Sequence, residues 1–243
     1  MFQDFSLYPH LLDMVCFFAS CALFLGYLRF IAVKSRTNPA YTVQGISAMA
    51  RAAWVKSVME NGRDILAVQT LRNSTMASTF LASTAILLSV GVLTLTGQSD
   101  KLKIAWQALN FFGTPHESML PVKLVILLLN LFAAFFFFAS SIRLYNHVGY
   151  MINAPSTARQ RVMSPKIVAA QLNRAGYHYS MGMRGFYAMV PLVFWIFGPL
   201  FLFCSTVVMI AVLFHLDRTP AEVEEDFRKE CDGAACFFDE KDV

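Results

Sequence analysis

The residues best suited to hold a charged ligand gather at three places along the chain. Gln69, Arg72 and Asn73 precede one long apolar run, and Arg143, Asn146 and His147 follow another. Gln171, Asn173, Arg174 and Arg184 precede a third. A guanidinium binds a carboxylate or phosphate through two parallel hydrogen bonds, and amide and imidazole groups add further donors and acceptors. If the three run ends lie at one level, these side chains form a polar network or an anion pocket. The plainer reading is that the arginines extend their apolar stems to meet lipid phosphates at a membrane boundary.

A second set comprises His10, Asp13, His116, Glu117 and His215, with Asp217 following. Imidazole and carboxylate are metal ligands, but each of these residues comes from a different segment and no motif spacing joins them, so no metal is expected. All five histidines fall at or beyond the ends of apolar runs and no C-x-x-C-H occurs, which speaks against haem. Cys231 and Cys236, in ECDGAACFF, are spaced for a local disulfide in an oxidising compartment. Cys16, Cys21 and Cys204 sit within apolar runs, where cysteine behaves as a small hydrophobe. There is no Gly-rich phosphate loop, no H-E-x-x-H and no nucleophile motif. No catalytic residue is therefore predicted, and no cofactor beyond bound lipid. No nucleic-acid motif accompanies the basic residues, and attraction to anionic lipid explains them more simply.

The elements that must position these groups are written in the hydropathy. Of 243 residues 56% are hydrophobic and only 15% charged, with a mean hydropathy of +0.51; a soluble domain carries about a quarter charged residues. The excess is concentrated in four blocks, roughly residues 11–33, 76–96, 121–142 and 187–216. Each can supply the ~20 helical residues that cross a hydrocarbon layer. None alternates as a barrel strand would, so the expected fold is all-α: a four-transmembrane-helix bundle with interfacial helices.

Charge then orients it. With four spans, residues 29–72 and 143–184 share one side and hold 13 Lys/Arg against 2 acids, while the rest of the chain holds 7 against 14. Basic residues are retained in the cytoplasm, which predicts a bacterial inner-membrane protein with both termini periplasmic, including an acidic tail over residues 217–243. The first basic residue is Arg29, so the first span reads as an uncleaved anchor.

Between the spans, residues 46–71 read as an interfacial helix that Asn61-Gly62 breaks. A short amphipathic piece is expected over 102–112. Ser164-Pro165 predicts a helix start with Ser as N-cap, running to about Ala175 before Gly176. Gly198-Pro199 predicts a kink within the last span.

The second span is unusual in carrying nine Ser/Thr between Ser74 and Thr96. Ser78, Ala82, Ala85 and Ser89 recur at helical spacing, a small-residue face that lets another helix approach closely. Ser and Thr hydroxyls can also bond the carbonyl one turn back, which makes them tolerable in lipid. Asn130, alone within the third run, needs a partner, and the hydroxyl face of the second span is the expected one.

The stretches QTLRNSTMASTFLAST (69–84), RLYN (143–146) and NRAGYHYSMGMRGFYAMVPLVFWIFGP (173–199) resemble domain-of-unknown-function family 599, integral membrane proteins of bacteria and plants. The resemblance covers about residues 11–216 and leaves the acidic tail outside. It implies a four-span membrane protein and carries no catalytic residue with it. Taken together, these features predict a non-enzymatic accessory or scaffold subunit that packs against other integral membrane proteins or itself. The alternatives are a small oligomeric anion transporter using Arg72, Arg143 and Arg184, and, more weakly, a periplasmic metal-binding protein.

Overall fold

The computed structural model describes residues 7–62, 64–97, 119–154, 164–220 and 224–225, without the side chains of 7–10 and 64. These segments are helical: α1 (Leu7–Thr37), α2 (Val43–Asn61), α3 (Asp64–Gly97), α4 (Met119–Ile152), α5 (Pro165–Phe194) and α6 (Pro199–Asp217). Five helices, all but α2, are long and apolar enough to cross a membrane. The piece expected over 102–112, the Cys231–Cys236 pair and most of the acidic tail lie outside the described residues.

The largest difference from the sequence reading is in the last apolar block. Residues 187–216 are not one kinked span. They belong to two helices that meet at Gly198, and the chain reverses there. Arg184 and Asp217 would be about 50 Å apart on a continuous helix, yet their side chains touch at 3.1 Å. The break is local chemistry. A short 3₁₀ turn, Trp195–Phe197, ends α5. Gly198 then takes φ 149°, a value that L side chains rarely adopt, and Pro199 opens α6 where its missing N–H is harmless. Continuous apolarity across the turn hid it.

Because the chain reverses at Gly198, the start of α1 and the end of α6 lie at opposite ends of the bundle. Asp13 is bonded to Trp195, beside the turn. The residues after α6 are instead fastened to the α1–α2 connection. Thr42 pairs with Arg218 in an antiparallel bridge, the Thr219 amide donates to the Tyr41 carbonyl at 3.1 Å, and Asn38 donates to Glu224 at 3.0 Å. The sequence reading of four spans puts both ends of the helical region on one side; among the described residues, Asp13 and Asp217 stand at opposite ends.

The helices form an open row, α3–α4–α5–α6–α1, with α2 laid across α5. α2 begins where the Thr42 hydroxyl accepts from the Gly45 amide at 3.1 Å. It ends at Gly62, which adopts φ 64° as a left-handed cap. Helices α3 and α4, at 34 residues each, exceed a hydrocarbon crossing by roughly 14 residues, or about 20 Å. The overhang is built into a second core. There Val55 and Val58 of α2 meet Leu71 of α3, Val148 and Ile152 of α4, and Val168 and Leu172 of α5.

Ser164 caps α5 as expected, accepting from the Ile167 amide, but Gly176 does not stop it. The helix runs on because its glycines serve close approach. A Cβ at Gly176 would lie 2.9 Å from the Arg51 guanidinium carbon, and one at Gly182 would lie 2.7 Å from the Phe138 ring.

The hydroxyls of α3 behave as their chemistry suggests. Ser74, Ser78, Thr79, Thr84, Ser89, Thr94 and Thr96 each donate to the carbonyl one turn back, at 2.8 to 3.1 Å. Ser78, Ala82, Ala85 and Ser89 are buried on a helix whose main neighbour is α4. Asn130 finds a different partner from the one expected. Its amide donates to the Gly185 carbonyl of α5 at 2.9 Å.

Candidate functional site

Three polar centres tie this bundle together, and a groove lies beside one of them. The first is at the turn between α5 and α6. Lys123, four residues into α4, points inward and is 3% exposed; its ammonium lies 3.1 Å from the Asp13 carboxylate of α1, itself 13% exposed. The same ammonium donates to the Trp195 carbonyl at 3.2 Å, and the Trp195 indole donates to the other Asp13 oxygen at 2.8 Å. Phe17 stacks on that indole at 4.6 Å. Every charged atom has a partner, as a pair in a low-dielectric setting requires.

The second centre joins α1, α5 and α6. Arg184 and Tyr27 converge on one oxygen of Asp217, at 3.1 and 2.8 Å. The third seats α2 on α5. Arg51 donates from Nε to Asn173 at 2.9 Å and rests in the notch that Gly176 leaves. Burial pushes the Arg51 pKa down and the neighbouring Tyr145 pushes it up; a guanidinium stays charged through such shifts. Ser180 adds a 2.6 Å bond to Gln44.

The groove runs between the first turns of α3 and the last turns of α4 and has a volume of about 720 Å³. Arg72, Thr75, Tyr145, Asn146, Tyr150 and Asn153 give it a polar wall, Val68, Leu71 and Met76 an apolar one. Among the described residues no acidic side chain lines it.

The ten side chains that the sequence grouped into one network are divided among these places. Arg72 and Asn146 share the groove. Asn173 is held by Arg51 and Arg184 by Asp217. Gln69 and Asn73 are exposed on α3, Arg143 and His147 on α4 and Arg174 on α5, while Gln171 is half-buried. The weak metal candidates are not brought together either. Asp13 is bonded to Lys123, His215 lies near the far end of α6, and His116, Glu117 and the His10 side chain lie outside the described residues. Among the described residues no three His, Cys, Asp or Glu side chains cluster as metal ligands. His178, within ring contact of Phe137, lies between Asn173 and Ser180, the two α5 residues that bond α2.

Lys123, Trp195, Tyr27 and Arg51 were missed as partners in the sequence. A signal for the first centre was present. Asp13 and Lys123 are opposite charges, each placed just inside an apolar run, and ionisable residues at such depth pair with one another.

A family model described as a protein of unknown function, DUF599, matches residues 14–221. No curated protein and no solved structure matches the chain.

Proposed function

The chain belongs to the DUF599 family, and from that premise we propose that it is a non-enzymatic scaffold or accessory subunit, which packs through α3 against a second copy or another integral membrane protein. The observation that carries this reading is the one-sided packing of α3. Its buried face meets α4, while its other face leaves Phe80 72% and Leu87 71% exposed. Ala77, Ser83 and Gly91 are exposed beside them, so large and small residues alternate. Lipid gives membrane helices no hydrophobic reason to associate, and such knobs and gaps supply the packing instead. The interior favours a rigid body over a conduit: its charges are paired and the α3 hydroxyls are turned onto their own helix. An anion path through Arg72, Arg143 and Arg184 has less support, since Arg184 is held by Asp217.

A cysteine at Leu87, in a chain otherwise free of cysteine, is expected to form one discrete crosslinked adduct in native membranes. A cysteine at Ser89, buried against α4, is expected to form none. A chain that stays monomeric and uncrosslinked at both positions rules the scaffold reading out.

We place the α2 end in the cytoplasm of a bacterial inner membrane. With the α5–α6 hairpin counted as two crossings, chain order puts all Lys/Arg there except Lys101, Lys103 and Lys123, in keeping with the retention of basic residues inside. The N-terminus is then periplasmic and the C-terminus cytoplasmic. A fluorescent protein fused after Val243 should glow and alkaline phosphatase fused there should be inactive; the reverse pattern refutes this orientation.

A further inference from the structure

We infer that the groove between α3 and α4 binds the phosphate of an anionic phospholipid, with Arg72 as its charge partner and the acyl chains running down α3 over Met76 and Phe80. Among the described residues, Arg72 is the only charged one that lines the groove. Among the described residues its guanidinium has neither a hydrogen-bond nor an ion-pair partner. The polar wall opposite it, Asn146, Tyr150 and Asn153, carries donors suited to phosphate oxygens. Placement favours a lipid over a soluble anion. Arg72 stands where the long apolar stretch of α3 begins, the level at which headgroups meet hydrocarbon. Toward the membrane the groove opens past Met76, and Met76 and Phe80 are both largely exposed. A fork of guanidinium donors suits a phosphodiester better than the point charge of lysine does.

The full chain in a nonionic detergent would be titrated with phosphatidylglycerol, phosphatidylcholine and inorganic phosphate, and bound ligand counted by native mass spectrometry. The expected result is one phosphatidylglycerol site, weakened at least about tenfold in Arg72→Gln through loss of a charge-assisted hydrogen bond. Arg143→Gln, at a similar level of α4 but outside the groove, should bind within about twofold of the parent, and Arg72→Lys should fall between. Equal weakening in both glutamine variants means diffuse surface attraction and overturns the inference. So does phosphatidylcholine binding as tightly as phosphatidylglycerol, or inorganic phosphate binding as tightly as the lipid. Arg72 is exposed, so the variants should unfold at the parent's midpoint without lipid. A matched midpoint with unchanged lipid binding likewise overturns it.

Discussion

Replacing Lys123 by methionine is expected to destabilise the protein by about 3–5 kcal/mol, the cost of leaving one member of a buried ion pair without its counter-charge. Methionine fits the space of the lysine stem but leaves the Asp13 carboxylate with the Trp195 indole alone. It also removes one of two donors to the Trp195 carbonyl, which keeps the Gly198 amide at 3.2 Å. The measurement is reversible unfolding in mixed micelles, followed by tryptophan fluorescence. Pairing Lys123→Met with Asp13→Leu should recover most of the loss, because no buried charge is then stranded and only the indole N–H lacks a partner. The coupling between the two positions should exceed about 2 kcal/mol in a double-mutant cycle. Additive effects would mean that the two side chains do not meet.

Phe138→Ala should rank next, at about 2–3 kcal/mol. The ring is fully buried and stands over Gly182, with Tyr179 and Phe186 at 5.9 and 5.3 Å between ring centroids. In a soluble core such a truncation costs about 3–5 kcal/mol, from transfer and cavity terms together. Lipid is as apolar as the site, so the transfer part largely vanishes and the cavity and lost dispersion contacts remain. Gly182→Ala should destabilise as well, since its new methyl would crowd the same ring. Combining the two should cost less than their sum. A stable Phe138→Ala protein would mean that α4 and α5 are not held by this contact.

Much of the architecture could be read from the chain, and the parts that could not share a cause. Apolar length locates α1, α3 and α4, and the Asn61-Gly62 and Ser164-Pro165 boundaries follow from capping chemistry that acts within a few residues. The bonded hydroxyls of α3 are equally local, donating to their own helix. Gly198 and Gly176 were read the wrong way round, one as a kink and the other as a stop. Gly176 takes its meaning from Arg51, and the reversal at Gly198 is completed by the packing of α6 on α1; both partners are distant in sequence. The same holds for the polar groups. Arg72, Arg143 and Arg184 look alike as residues that flank apolar runs. Only tertiary placement gives Asp217 to Arg184, a groove to Arg72 and open surroundings to Arg143. The proposed orientation keeps the charge tally of the sequence and differs in counting five apolar helices where hydropathy alone counts four blocks.

The row order has a consequence for synthesis. α1 leaves the ribosome first, yet the helix it packs against is α6, the last to be made, and the two helices meet through Tyr27, Ile31, Met209 and Leu213. Until translation has passed residue 217, Asp13 lacks the chain's Trp195 turn in its final setting and Tyr27 has no carboxylate to bond. Nascent α1 must therefore wait in the bilayer as an orphan, and assembly is completed from the C-terminal end backward. Such non-local closure is slow and exposes intermediates to misassembly, so a chain truncated before α6 should be a quality-control substrate even with its first helices correctly inserted.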